Sequence, residues 1–211
     1  IYEKKTDWMI CIIAFSAIIF FAGLRSYGVA DTGAYIEMFK SYPNTLANIF
    51  NNIPETSNNM IGFVIFSTFI KTYISSDYNV WLFIIAFISG ICMVTTLYKY
   101  SENFGLSVFL FMASCQFAWL FNGMRQFLAV AILFSSITLI IKKKPLQYFL
   151  VVILASTIHI TAIMMIPVYF IVRGEPWNKR TIGIIILVLM CMLFSSTFIK
   201  VFDSAMNDSQ Y

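Results

Sequence analysis

Long apolar runs separated by short charged segments divide the chain, and the runs approach helix-spanning length without the alternation of a barrel strand. The first, 8–24, lies between Lys4-Lys5 and Arg25 and has 17 residues, close to the minimum for crossing. Further spans are predicted at 78–98, 106–120, 125–141 and 182–199, the last followed by a polar tail, 203–211. The stretch from Arg25 to Asp77 differs in kind, because charged residues punctuate it and Pro43 and Pro54 break it. It predicts an external loop with two surface helices. Around Gly33–Phe50, helical spacing puts Tyr35, Met38, Phe39 and Tyr42 on one face, which suits a helix lying in the membrane interface. Ile61–Ile74 is the second, interrupted by Ser67, Thr68, Lys71 and Thr72.

The run 148–172 is apolar throughout but has Lys142–Lys144 before it and Arg173, Lys179 and Arg180 after it. Cytoplasmic ends attract basic residues, so both ends belong on the same side. That predicts a membrane hairpin of two short helices, turning near Thr157-Ile158-His159, with Pro167 bending the return limb. With the N-terminus inside, the cytoplasmic face receives Lys4, Lys5, Lys99, Lys142, Lys143, Lys144, Arg173, Lys179 and Arg180. Arg25, Lys40, Lys71, Arg125 and Lys200 fall outside, so the 14 basic residues divide nine to five.

Composition agrees with the pattern. A hydrophobic share of 60%, a charged share of 11% and a mean hydropathy of +0.82 describe an integral membrane protein. The predicted architecture is all-α, a polytopic bundle forming one transmembrane domain over residues 1–211. The net charge of +4 resides in loops and reads as topology rather than nucleic-acid binding. Cys11, Cys92, Cys115 and Cys191 lie in apolar runs without CxxC spacing and are expected to be free thiols. The chain opens on Ile1 and a charged linker, and is expected to be a fragment of a longer protein.

No P-loop, GxGxxG, GxSxG or HExxH is present, and a single His cannot build a zinc site. Chemistry must therefore come from a constellation assembled across helices. Phe121-Asn122-Gly123-Met124-Arg125-Gln126 places a guanidinium between two apolar runs, at a cost of roughly 2.5–3.5 kcal/mol near hydrocarbon. Such an Arg faces a partner, a wet cavity or an anion, or else snorkels to headgroups. Arg25 and Arg125 suit a pyrophosphate or other oxyanion, since the planar fork donates two parallel bonds and keeps its proton; Arg25 also reads as an interfacial anchor.

The remaining candidates carry two readings each. Asp31 is a base for a sugar hydroxyl, a partner for Arg25 or a ligand for a divalent cation, or it is the N-cap of the following helix. Glu55 after Pro54 has the same alternatives. His159 is a general base or a buried imidazole bonded to a carbonyl. Asn122 and Gln126 bond sugar hydroxyls or satisfy backbone at a helix start, and Tyr35, Tyr27 or Trp119 stacks on a sugar ring or packs. Apart from that cation, no cofactor is called for. In the predicted topology Arg25, Asp31, Glu55 and Arg125 share the external face, and the hairpin lifts His159 toward it.

Three blocks occur in order: Phe21-Ala22-Gly23-Leu24-Arg25 running into Asp31-Thr32-Gly33-Ala34-Tyr35; Phe121-Asn122-Gly123-Met124-Arg125-Gln126-Phe127-Leu128-Ala129; and His159 with Ala162 and Pro167. Together they resemble the EpsG family, membrane proteins of bacterial exopolysaccharide, capsule and O-antigen synthesis similar to Wzy polymerases. Members usually carry Gly-Thr-Asp before the Tyr, where this chain has Val29-Ala30-Asp31-Thr32-Gly33.

The resemblance implies transfer of glycan from an undecaprenyl-pyrophosphate-linked donor to a hydroxyl of a lipid-linked acceptor, on the outer face of the bacterial cytoplasmic membrane. Its implied partners are those lipid-linked oligosaccharides, membrane lipid, and polysaccharide export and chain-length proteins. The external loop is similar to that of lipid-dependent glycosyltransferases of the GT-C type, an analogy of fold only. A transporter of lipid-linked sugars and a membrane acyltransferase using His159 are the alternative classes. The former predicts inverted repeats, and the sequence shows no internal symmetry.

Overall fold

The computed structural model describes residues 8–49, 61–173 and 178–194, and every regular element among them is helical. Glu55 lies outside the described residues. Two units are present, Ile1–Met165 and Ile166–Tyr211.

The first unit is built around α4 (Tyr78–Tyr100), started by Asp77, whose side chain accepts from Asn79 N at 2.8 Å. Its 23 residues rise roughly 35 Å, enough to cross a bilayer core. α1 (Trp8–Gly23) packs along it with Ala14, Ile18 and Ala22 facing inward, as does Ala86 of α4, the alanines allowing close approach. A Cβ on Gly23 would lie 2.8 Å from Phe83 Cδ2 and 3.1 Å from Phe83 Cα, so a larger residue there would force α1 off α4.

α5 (Phe104–Ala113) and α6 (Cys115–Asn122) occupy the run that reads as one straight span in the sequence, but they bend by 57°. The break has a local cause. Ser114 is extended (ψ 165), its hydroxyl donates to Phe111 O at 2.9 Å, and its oxygen accepts from Gln116 N at 3.3 Å. One small side chain thus closes α5 and caps α6. α7 (Met124–Ser135) and α8 (Ile137–Ile141) follow. Among the described residues, Tyr78–Tyr100 and Met124–Ile141 are each long and apolar enough to cross a membrane, and the bent pair makes a third if it is one span. This all-helical, transmembrane character agrees with the sequence pattern.

α2 (Thr32–Ser41) buries Thr32, Tyr35, Ile36 and Phe39, and α3 (Ile61–Tyr73) buries Phe63, Val64, Ser67, Thr68 and Ile70. The aromatic face of α2, which the sequence pattern directs to the membrane interface, packs on protein. Phe39 stacks on Trp81 with centroids 4.6 Å apart, Phe63 meets the same indole edge-on, and Trp81 Nε1 donates to Ser67 Oγ at 3.0 Å. Lys71 on α3 donates to the carbonyls of Phe39, Lys40 and Tyr42 at 3.2, 2.9 and 2.6 Å, satisfying the end of α2.

α9 (Pro145–Ile158) begins with Pro at its first turn, where no helical bond is lost. After His159 a 3-10 helix, Ile160–Met164, carries the chain back. Tyr148 Oη donates to Met165 O at 3.0 Å, a distance that an unbroken helix of that length would not allow. α3 and α9 touch closely: a Cβ on Gly62 would lie 2.6 Å from Thr157 Cβ. In the second unit, α10 (Met165–Arg173) continues with Arg173 Nη1 donating to Tyr169 Oη at 2.6 Å. α11 (Lys179–Leu193) is capped by Asn178, which accepts from Thr181 N.

Candidate functional site

Arg125 sits in the first turn of α7. The helical path stops at Gly123, whose N–H closes α6 on Trp119 O at 2.9 Å and whose carbonyl opens α7 by accepting from Phe127 N at 2.8 Å. From that position the guanidinium lies over two aromatic rings, 5.7 Å from the Tyr35 centroid and 6.0 Å from that of Phe63. Its Nε and Nη1 are buried and have no hydrogen-bond partner among the described residues. A buried unmet donor costs about 1–3 kcal/mol, more when charged, so the fold holds this fork unsatisfied at a substantial penalty.

Tyr42 belongs to the same group. It follows Tyr35 by seven residues, is the extended residue that ends α2, and is 2% exposed. Its hydroxyl is buried without a protein partner. Burial pushes the phenol up to about 12, opposed by the positive charge of Arg125, so Tyr42 remains a neutral donor at physiological pH.

His159 stands at the break after α9, outside the helices long enough to span, and is half-buried. Its Nδ1 bonds the Thr161 hydroxyl at 2.8 Å, which orients the ring. Burial, and then the charge of Arg125, hold the imidazole below its ordinary 6.5. At neutral pH it is uncharged and able to take a proton.

Arg25 is buried at 6% exposure, and protein atoms engage much of its fork. Nη1 donates to Leu120 O at 2.8 Å, Nη2 contacts Met124 Sδ at 2.7 Å, and the guanidinium carbon lies 5.7 Å from the Phe121 centroid. Only Nε is buried without a partner. Burial lowers its pKa to about 10, which leaves it charged at neutral pH. The two arginines therefore face different surroundings. Arg25 bridges the end of α6 to the first residue of α7, whereas Arg125 lies over Tyr35 and Phe63 and acts through its charge on Tyr42 and His159. A cavity of about 440 Å³ lined by Phe20, Phe21, Leu24, Val29 and Phe121 adjoins Arg25.

Asp31 occupies the N-cap position of α2, but its side chain makes no capping bond and is exposed. Ala30 before it is left-handed at φ 49. Asn122 is exposed at the end of α6, and Gln126 is half-buried one residue beyond Arg125. Among the described residues no group of three or more His, Cys, Asp or Glu is placed to hold a metal ion. Cys92 and Cys115 are free thiols.

A second cavity, about 510 Å³, lies between α3, α4, α7 and α9, and its lining is almost wholly apolar. It abuts the polar group through neighbours in sequence: Leu128 is one turn from Arg125, Gly62 adjoins Phe63, and Ile158 adjoins His159. Sequence reasoning named Arg125, Tyr35 and His159 but missed Tyr42, Phe63 and Thr161 as their companions. For Tyr42 the seven-residue spacing from Tyr35 was the available signal.

The model of the EpsG family matches residues 8–211, nearly the whole chain. The chain belongs to the EpsG family. Membership gives this EpsG protein a polysaccharide polymerase-like role in exopolysaccharide biosynthesis, in a setting of lipid-linked polysaccharide substrates. No curated protein and no solved structure matches it.

Proposed function

We propose that this EpsG protein is a glycosyltransferase that polymerises repeat units, moving glycan from an isoprenoid-pyrophosphate donor to a hydroxyl of a lipid-linked acceptor. The observation that carries this is Arg125, whose Nε and Nη1 are buried and unmet, with an uncharged imidazole that feels its charge and an apolar cavity that begins one turn further along α7. A pyrophosphate fills the unmet donors, an isoprenoid chain suits the cavity, and an acceptor hydroxyl needs a base.

In the reaction the acceptor oxygen bonds to the anomeric carbon of the donor, and the bond from that carbon to the phosphate oxygen breaks. The bonding electrons leave with the lipid pyrophosphate, whose growing charge Arg125 stabilises in a site of low dielectric. The acceptor proton passes to His159 Nε2. Tyr35, Asn122 and Gln126 meet the sugars, and Asp31 on its exposed turn accepts from a sugar hydroxyl. Arg25 acts one step back, holding the helix junction from which Arg125 projects. The undecaprenyl carrier, a site on the outer face of the bacterial cytoplasmic membrane, and export and chain-length partners follow from this assignment. The GT-C comparison enters only as an analogy of fold.

The test uses the full-length protein in a deletion strain, with wild type and Arg125→Ala at matched membrane levels and surface glycans resolved by length. The expected result is collapse of long chains to single lipid-linked units. Persistent long chains would remove Arg125 from the mechanism, and failure of single units to reach the surface would favour a transporter. Should His159→Ala abolish activity while Arg125→Ala does not, acyl transfer becomes the better assignment.

A further inference from the structure

Arg125 has two buried N–H donors without acceptors, and the hydroxyl of Tyr42 is a third such donor whose surroundings include the charge of Arg125. Tyr35, whose ring lies beneath the guanidinium, is on α2, and Tyr42 is the extended residue that ends that helix, where the charge of Arg125 reaches its hydroxyl. Tyr42 is anchored from behind: its carbonyl accepts from Lys71 Nζ at 2.6 Å. The phenol is therefore held at 2% exposure with no hydrogen-bond partner among the described residues.

An ordinary core position of this kind would carry Phe, because a buried unmet hydroxyl costs about 1–3 kcal/mol. We propose that Tyr42 is a substrate-binding residue whose hydroxyl donates, together with Nε and Nη1 of Arg125, to phosphoryl oxygens of an isoprenoid pyrophosphate. Two cationic donors and one neutral donor suit a group with several oxygens better than a carboxylate with two. The assignment rests on Arg125 as the phosphate-binding residue of the proposed function.

The experiment uses the full-length protein in detergent micelles, with geranylgeranyl pyrophosphate as probe and geranylgeraniol as its uncharged counterpart. Affinities come from titration calorimetry, and ligand-free stability from thermal unfolding. Tyr42→Phe is expected to weaken pyrophosphate binding about tenfold or more, with geranylgeraniol binding unchanged. Its ligand-free Tm should equal or exceed that of wild type, since the variant removes an unmet buried hydroxyl.

Loss of stability in Tyr42→Phe would show that the hydroxyl serves the fold and would overturn the proposal. Wild-type affinity in Tyr42→Phe, alongside lost binding in Arg125→Gln, would overturn Tyr42 and leave the polymerase assignment standing. No saturable binding by wild type would overturn both. Displacement of the probe by phosphatidylglycerol added to the micelles would reassign the site to a lipid headgroup and overturn the pyrophosphate.

Discussion

Arg25 reaches across 95 residues of sequence to donate from Nη1 to Leu120 O at 2.8 Å. Because α6 stops at Gly123, this carbonyl lacks its usual acceptance from an amide four residues on, and the guanidinium replaces it. Arg25→Gln is expected to destabilise the protein by about 1–3 kcal/mol and to shorten surface glycans. Arg25→Lys, which keeps the charge but cannot reach both Leu120 O and Met124 Sδ, should fall between that variant and wild type. Thermal unfolding in detergent and glycan length profiles test this. If Arg25→Lys matches wild type, charge rather than the fork matters; if it is as impaired as Arg25→Gln, the charge alone contributes nothing.

His159 is the only histidine in the sequence, so its titration can be followed by NMR without ambiguity. A midpoint below 6.5 is expected in wild type. The charge of Arg125 contributes to that depression, so Arg125→Gln should raise the midpoint toward 6.5. If His159 serves as base, activity falls as acid protonates it, with the acid limb at that same depressed midpoint. A midpoint that does not respond to Arg125→Gln would place the two side chains out of electrical contact.

Gly62 and Thr157 hold α3 against α9. An added Cβ would lie 3.0 Å from the Thr157 backbone carbon as well as 2.6 Å from its Cβ, so a rotamer change cannot relieve the clash. Gly62→Ala is expected to cost about 1–3 kcal/mol and to open the apolar cavity. Unchanged thermal stability would show that the two helices separate freely.

Ala30 and Lys143 are non-glycine residues in left-handed backbone, at φ 49 and 58. Side chains there pay about 1–2 kcal/mol that glycine avoids, less the entropy glycine loses on folding. Ala30→Gly and Lys143→Gly should each stabilise by about 0.5–1 kcal/mol, read as a raised Tm. A lowered Tm in either would mean that the turn conformation is not the favoured one.

The helical membrane architecture was legible because apolar runs of spanning length leave few alternatives for buried backbone. Arg125 stood out because a cation between such runs is costly. Its companions did not: Tyr35 lies on α2 and Tyr42 just past its end, some 80 residues upstream or more, and no spacing within either segment announces the meeting. Ser114 was hidden for a different reason, since a lone serine in an apolar run reads as helix. Only its extended backbone, stabilised by its own hydroxyl, bends the span. The face of Tyr35, Phe39 and Tyr42 had the right periodicity, but hydropathy does not distinguish lipid from Trp81 as its neighbour.

The interruption at Gly123 also sets two helix ends against each other, with opposite polarity. The carbonyl end of α6 carries partial negative charge, and Arg25 is the cation placed there. The amide end of α7 carries partial positive charge, has no side-chain cap, and adds to the field around Arg125. One end is already neutralised and the other carries no side-chain cap. Were the two helices to fuse into one straight rod, the carbonyl that anchors Arg25 and the free amides beside Arg125 would be consumed by each other. Polarity and anchor would vanish together.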